Sequence, residues 1–196
     1  MIRKVAIIIG ITVFILIICA TEFLNVETSS KTNTNSNNEI IEEVGDIVYK
    51  GKFPIPVENF IKVTSKFGNR ESHGVVHSNH TGIDLCGSLE SKVMSVKDGE
   101  VTHAGWQGGY GNCVEIKHST ENGTIYYTFY AHLARIDVIE GQEIQQGTVV
   151  GIQGGDPNRD PNPGYSTGSH LHFEIRKSQN GDFINPREYL FGNKEV

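Results

Sequence analysis

Short apolar runs, separated by Gly, Asn and Asp, recur along the chain from residue 60 onward with little helical periodicity. They occupy 60–63, 93–96, 101–104, 114–116, 125–131, 149–152 and 171–175. A short turn-bounded strand is also expected within 141–147. Short strands punctuated by turn residues are typical of antiparallel β structure, so the pattern predicts an all-β domain.

The alternation is sharpest at 169–175, where His170, His172 and Glu174 fall on one side and three apolar residues on the other. This pattern predicts a half-buried strand whose solvated face could bind a metal ion. Two imidazoles at i and i+2 can converge on one cation, but a catalytic zinc usually takes a third protein ligand. A partner for this pair is therefore expected elsewhere in the chain.

Two further alternating segments supply partners. Residues 80–85 are predicted to form one strand in which His80 and Asp84 share a face, and another run ends with His132. His80 and Asp84, joined by one histidine of the later pair, make a donor set that suits zinc and leaves a place for water. Taken singly, each of these residues could equally be a surface hydrogen-bonding group.

Length and charge restrict the function. The chain has 196 residues with 37% hydrophobic content, room for one domain of ordinary size plus extra segments. Its net charge is −6 and its isoelectric point is about 5.7. Because phosphate binding needs a basic face, we expect no nucleic-acid partner.

The amino terminus is predicted to be a signal anchor, with 1–4 in the cytoplasm and 5–24 as a transmembrane helix. Basic residues before the span place the rest of the chain on the extracytoplasmic side of a bacterial cell membrane, as a single-pass protein. Cleavage after Ala20 and lipidation at Cys19 remain alternatives, although neither signal is well formed. We then expect a flexible linker at 25–57, a folded domain at 58–192 and a tail at 193–196.

Several motifs, in order, resemble the lysostaphin-like (LytM-type) zinc endopeptidases that cut peptidoglycan peptides. The matching segments are 65–70 (SKFGNR), 80–84 (HTGID), 110–116, 130–133 (YAHL), 166–174 (STGSHLHFE) and 184–190. The resemblance implies a small antiparallel barrel-sandwich, the duplicated hybrid motif fold. It also implies one Zn²⁺ per domain, held by His80, Asp84 and His172, with His132 and His170 as catalytic histidines.

The resemblance also implies a substrate, the stem or cross-bridge peptides of peptidoglycan. Two alternatives stay open. One is a non-catalytic scaffold or amidase activator, for example in a sporulation or secretion membrane complex, although all five site positions are filled here. The other is an enzyme that serves a larger membrane or wall-penetrating complex.

Some features depart from the family pattern or match no motif. The segment 156–163 is longer than the loop usually found there, and we expect it to form a stiff, acidic lip that shapes substrate choice. An inert surface insertion is the alternative. Cys86 and Cys113 could form a disulfide if they lie on neighbouring strands. The remaining histidines, His73, His77, His103 and His118, are expected at the surface, with a place in the cleft as the alternative for His73 and His77. Glu174 is expected to make an ion pair or to support a metal ligand.

Overall fold

The computed structural model describes residues 42–44, 47–49, 51–72, 75–179 and 181–192, without side chains at 42–49 and 71–78. Tertiary contacts divide the chain into units 1–41 and 42–196, and the first unit lies outside the described residues. The predicted span at 5–24, most of the linker and the tail at 193–196 also lie outside the described residues. No helix among the described residues is long and apolar enough to cross a membrane.

The largest sheet contains eight strands, all paired antiparallel, in the order β12-β8-β9-β10-β14-β6-β3, with β15 beside β14. Its strands are β3 (Phe60–Ser65), β6 (Ile83–Gly87), β8 (Gly99–Trp106), β9 (Asn112–Ser119), β10 (Ile125–Ala131), β12 (Glu143–Ile144), β14 (Leu171–Ser178) and β15 (Gly181–Ile184).

Smaller elements complete the described part of the chain. A three-stranded sheet of order β11-β13-β7 and two hairpins, β1-β2 and β4-β5, are antiparallel as well. The strands are β1 (Glu42–Val44), β2 (Ile47–Tyr49), β4 (Gly68–Ser72), β5 (Val75–His80), β7 (Lys92–Met94), β11 (Leu133–Ile136) and β13 (Val149–Gln153). A 3-10 turn (Gly108–Tyr110) and a short helix, α1 (Arg187–Phe191), are the helical elements. The prediction of an all-β domain with antiparallel sheets is confirmed.

Strand β14 carries both the core and the polar face predicted for it. Leu171, Phe173 and Ile175 are almost fully buried in the main apolar cluster, which also takes in residues of the three-stranded sheet. The opposite face holds His172 and Glu174, and it is buried too, at 5% and 0% exposure. The prediction of a solvated face is therefore wrong, because loops and neighbouring strands cover the second side of the sheet.

The packed structure begins earlier than the predicted boundary at 58. The backbone N–H of Phe53 donates to the carbonyl of Tyr189 at 2.9 Å, and the Phe53 ring stacks on Tyr126 with centroids 6.1 Å apart. Val57 is 3% exposed within the core. The hairpin β1-β2 also lies inside the segment predicted as a linker. The alternation of Phe53, Ile55 and Val57 is the sequence signal for this extension.

The two domain cysteines do not form the disulfide that the sequence left open. Cys86 lies on β6 and Cys113 on β9, with β10 and β14 between them, and both are free thiols. Three strand spacings of about 4.8 Å put them on the order of 14 Å apart. Disulfide geometry requires Cα atoms within roughly 7 Å, so the bond cannot form in this fold.

His118 is not at the surface. It is 2% exposed, and its Nδ1 lies 2.8 Å from the carbonyl of Asp98 while its Nε2 lies 2.7 Å from Oγ1 of Thr128. The ring stacks on Tyr126 with centroids 4.9 Å apart. His103 is partly exposed, and no side chain is described at His73 or His77.

Candidate metal centre

Three separate elements deliver the three residues predicted as metal ligands. His80 ends β5, Asp84 lies on β6, and His172 pairs directly with Asp84 in the register of β14. The prediction that 80–85 is one strand is wrong, because the chain turns at Thr81 and Gly82 between the two strands. A Cβ at Gly82 would lie 2.4 Å from the carbonyl oxygen of Phe173, so only glycine fits this close passage.

The candidate ligand atoms of these three residues lie very close together. His80 Nε2 is 3.0 Å from Asp84 Oδ1 and 3.0 Å from His172 Nδ1, and the last two atoms are 2.9 Å apart. All three residues are buried, at 5–6% exposure. A tetrahedral zinc with bonds near 2.05 Å would space its ligand atoms about 3.3 Å apart, close to this arrangement.

The outer nitrogens of the two imidazoles are committed to other acceptors. His80 Nδ1 donates to the carbonyl of Lys66 at 2.7 Å, and His172 Nε2 donates to Glu174 Oε1 at 2.9 Å. These bonds assign the ring protons and leave lone pairs on His80 Nε2 and His172 Nδ1, both of which face Asp84. Converging lone pairs beside a carboxylate need a cation between them, so this donor set fits a zinc ion.

The second oxygen of Asp84 is held from outside the cluster. Arg70 Nη2 donates to Asp84 Oδ2 at 3.0 Å, while Oδ1 faces the histidines. Burial alone would raise the pKa of Asp84, but its contacts with the His172 and His80 rings outweigh burial and hold the pKa below its ordinary value. Asp84 is therefore ionised near neutral pH and offers one oxygen to the site.

His132 lies at the junction between the two sheets. It stands between β10 and β11 with φ +59°, a backbone region that non-glycine residues seldom adopt. Its Nδ1 donates to the carbonyl of Pro163 at 2.7 Å, which leaves Nε2 as the basic nitrogen. The backbone N–H of His132 also donates to the carbonyl of Tyr110 at 2.9 Å.

His170 faces the cluster from the loop before β14. Its Nδ1 donates to the carbonyl of Gly168 at 2.8 Å, and its Nε2 lies 3.7 Å from Asp84 Oδ1. The ring centroids of His132 and His170 are 4.8 Å apart, and those of His132 and His172 are 5.9 Å apart. The structure thus brings all five predicted site residues into one place.

Burial sets the protonation of the two histidines outside the ligand set. Desolvation, together with the repulsion that a protonated His170 would exert, lowers the pKa of His132 to about 4. Desolvation also lowers the pKa of His170, although the Asp84 carboxylate opposes it. Both rings are neutral near pH 7, so each has a nitrogen able to accept a proton.

The five residues open onto one groove of about 490 Å³. Its other lining residues are Arg70, Asn79, Thr81, Gly109, Tyr110, Tyr165, Ser166 and Thr167. Tyr165 lies two residues beyond the segment 156–163 that the sequence predicted as an acidic lip, and it is 94% exposed. Its ring lies over Gly109, where an added Cβ would come within 2.8 Å of it.

The sequence missed several groups that shape the site. The carbonyl of Pro163 could not have been found, because no residue pattern reports a backbone contact across 31 residues. Arg176 had a signal, since it continues the polar face of β14 two residues beyond Glu174. Arg70 belongs to the matching segment 65–70, but its contact with Asp84 depends on the β4-β5 hairpin.

Comparison with known proteins identifies the family. The model of Peptidase family M23 matches residues 78–186. A DD-carboxypeptidase/endopeptidase, Mpg, of Neisseria meningitidis is 39% identical over 139 residues, covering 70% of this chain and 29% of that protein. A glycyl-glycine endopeptidase, ALE-1, of Staphylococcus capitis is 33% identical over 101 residues, covering 52% of this chain and 25% of that protein. The match thus spans under a third of the length of these relatives.

Solved structures agree with these sequence matches. The catalytic domain of the antimicrobial peptidase lysostaphin from Staphylococcus simulans superposes with a TM-score of 0.54 at 26% identity, covering 65% of this chain and 90% of that chain. The family match is one continuous segment that contains all five site residues and spans more than half of the 196 residues. The resemblance to the lysostaphin-like enzymes is confirmed, and the chain belongs to peptidase family M23.

Proposed function

We propose that this protein is a zinc-dependent endopeptidase that hydrolyses peptide bonds in the stem or cross-bridge peptides of peptidoglycan. One observation carries the proposal: three buried ligand atoms converge within about 3 Å of one another beside two neutral histidines. Structural zinc sites use four protein ligands, whereas catalytic sites keep one position open. The His80, Asp84 and His172 set has three members, and it opens onto the groove.

The names of the relatives support the substrate class. They describe a DD-carboxypeptidase/endopeptidase, a glycyl-glycine endopeptidase and, in ShyA of Vibrio cholerae, a peptidoglycan DD-endopeptidase. These proteins differ in the bond named, so they support cleavage of wall peptides as a class and do not select one linkage.

The chain's own residues account for the proton transfers that amide hydrolysis needs. A zinc ion at the site would supply Lewis-acid chemistry, because it lowers the pKa of water to about 7 and polarises a carbonyl. His132 and His170, both neutral, can each accept a proton at Nε2, and a histidine that has accepted one can donate it to the leaving nitrogen or to an oxyanion. Their Nδ1 bonds to backbone carbonyls hold both rings in the required tautomer.

A non-catalytic scaffold is disfavoured by the same geometry. A binding module has no use for three converging lone pairs and two tautomer-fixed histidines, each of which carries a desolvation cost. All five residues are present and face one groove.

Digestion of chemically defined muropeptides tests the proposal. The full-length chain, purified in detergent and loaded with zinc, should release new peptide products that mass spectrometry identifies. The matched control is His170→Ala, which should keep its zinc and lose cleavage. Intact muropeptides after incubation with the zinc-loaded wild type would refute the peptidase assignment.

We also propose that residues 5–24 anchor the protein in the bacterial cell membrane, with the domain on the extracytoplasmic side. The apolar span and the basic residues before it support this topology. A protease added outside intact protoplasts should then digest the domain, whereas a cytoplasmic marker protein should survive. Protection of the domain under those conditions would reverse the proposed orientation.

A further inference from the structure

A buried ion cluster lies directly behind His172. Arg176 donates to Glu174 Oε2 through Nε at 2.5 Å and to Glu115 Oε2 through Nη1 at 3.0 Å. The side chains of Arg176, Glu174 and Glu115 are only 6%, 0% and 7% exposed. The guanidinium carbon also lies 3.9 Å from the centroid of the Phe129 ring. Arg176 is thus fixed on two sides by carboxylates and on one face by an aromatic ring.

The two oxygens of Glu174 serve different partners. Among the described residues, Oε2 accepts from Arg176 alone, whereas Oε1 accepts from Thr81 Oγ1 at 2.5 Å, from Tyr110 O–H at 3.1 Å and from His172 Nε2 at 2.9 Å. If Arg176 did not hold Oε2, the carboxylate could rotate away from the imidazole. Arg176 thus fixes the second oxygen of the carboxylate whose first oxygen accepts from His172.

Stability alone does not account for this cluster. Burying charged groups costs free energy that their mutual attraction often only offsets, and apolar residues of similar volume usually serve a core as well or better. The cluster lies on the same face of β14 as the candidate metal ligand and is continuous with it through Glu174. Carboxylates that accept the outer N–H of a ligating histidine fix its tautomer and raise its basicity.

We propose that Arg176 is a positioning residue for the metal site, which holds Glu174 so that the proton of His172 stays on Nε2 and Nδ1 is free to bind the metal ion. This inference rests on the proposed zinc site and adds a residue four positions from the ligand along β14. Arg176 acts through Glu174 and touches neither metal nor substrate.

The zinc dissociation constant tests the inference without reference to catalysis. We would measure it by competition with a chromophoric chelator on the full-length chain in detergent. Arg176→Lys keeps the charge but loses the forked geometry, and it should weaken zinc binding about 10- to 100-fold, the range found when partners of ligating histidines are removed. Glu115→Gln leaves the Arg176 to Glu174 contact in place and should change the constant by less than about threefold.

Thr128→Val is the matched control for general loss of stability. Thr128 is fully buried on β10, where its hydroxyl contacts His118 and Tyr130 on the side of the sheet away from the ion cluster. This variant should lower the melting temperature and leave the zinc constant unchanged. The ¹⁵N chemical shifts of His172 give a second readout, because Arg176→Lys should mix the two tautomers of the metal-free protein whereas Thr128→Val should not.

The outcomes separate the two proposals. The positioning role is overturned if Arg176→Lys binds zinc with wild-type affinity, or if Thr128→Val loses as much zinc affinity as Arg176→Lys does. In either case the zinc site itself stands. A wild-type chain that binds no zinc overturns both. If circular dichroism shows Arg176→Lys to be unfolded, Glu174→Gln replaces it as the test. Glu174→Gln keeps an acceptor for His172 but breaks the ion pair with Arg176, so it should weaken zinc binding. Wild-type zinc affinity in Glu174→Gln overturns the inference.

Discussion

At the scale of single residues, backbone carbonyls determine the chemistry of the histidines. The carbonyls of Lys66, Pro163 and Gly168 each accept a hydrogen bond from one ring nitrogen of a site histidine, at 2.7–2.8 Å. A neutral imidazole has one donor and one acceptor nitrogen, so committing the donor to the backbone aims the acceptor into the site. The identity of the carbonyl residue is immaterial to this effect, which is why sequence patterns do not reveal it.

The split between ligands and catalytic histidines gives a prediction at this scale. His132→Ala and His170→Ala should each lower kcat by about 100-fold or more, because each removes a group that accepts or donates a proton in the transition state. Zinc content, measured by elemental analysis, should stay at one ion per chain in both. The comparison variant is His172→Ala, which should lose zinc as well as activity; zinc loss in His132→Ala would instead make His132 a ligand.

At the scale of elements, the loop before β14 supports the candidate site. Two backbone hydrogen bonds hold this loop against the 3-10 turn and the start of β9. The carbonyl of Asn162 accepts from the N–H of Asn112 at 3.1 Å, and the N–H of Tyr165 donates to the carbonyl of Gly109 at 2.7 Å. Between them Pro163 holds the ring of His132. The sequence predicted a lip that shapes substrate choice, and that idea stays a prediction, but the loop also supports a histidine of the site.

Gly111 gives a test of this support. It has φ +67°, and an added Cβ would lie 2.4 Å from the carbonyl oxygen of Asn162. Gly111→Ala should therefore displace the loop and lower kcat at least about 10-fold, since an error near 1 Å in a catalytic group can cost about 100-fold. Steady-state kinetics on a muropeptide substrate would measure it.

Gly123→Ala is the matched control, because Gly123 has a similar φ of +81° but nothing within 4 Å of the added Cβ. Both variants place an alanine at positive φ, which costs on the order of 1–3 kcal/mol, and Gly111→Ala adds the contact with Asn162, so both should lose stability. Only Gly111→Ala should lose activity. Equal kcat in the two variants would show that the loop does not position His132.

At the scale of the whole molecule, buried neutral histidines link folding to pH. Burial lowers the pKa of His118, although its contact with the Asp98 carbonyl opposes the shift. In the unfolded chain the pKa returns to about 6.5. Between the two pKa values the unfolded state binds a proton at His118 that the folded state does not bind. The stability that neutral His118 confers is therefore full above about pH 6.5 and is lost as the pH falls toward the folded pKa.

Urea unfolding at several pH values would measure this linkage. Between pH 7 and 5 the free energy of unfolding should fall more in the wild type than in His118→Gln, which cannot titrate there. The difference should grow by at most about 1.4 kcal/mol for each pH unit below 6.5, the limit for one proton. Subtraction cancels the other histidines, so parallel curves for the two proteins would contradict the prediction.

The sequence by itself determined the strands and the site residues, because both depend on local order. Alternation at 169–175 separated Leu171 and Phe173 from His172 and Glu174, and motif order selected all five site residues. Both can be predicted from the identity and spacing of side chains alone, because alternate residues of a strand face opposite sides of the sheet.

Only the tertiary structure decided how these residues meet and what surrounds them. In the folded domain, residues 80–85 belong to two strands separated at Gly82, and the polar face of β14 is buried. Cys86 and Cys113 lie on strands that are not neighbours, and the carbonyl of Pro163 accepts a hydrogen bond from His132. Each of these depends on strand order and on loops packing over a sheet. Contacts between residues distant in the chain follow from the packing of the whole domain, so they leave little trace in local sequence.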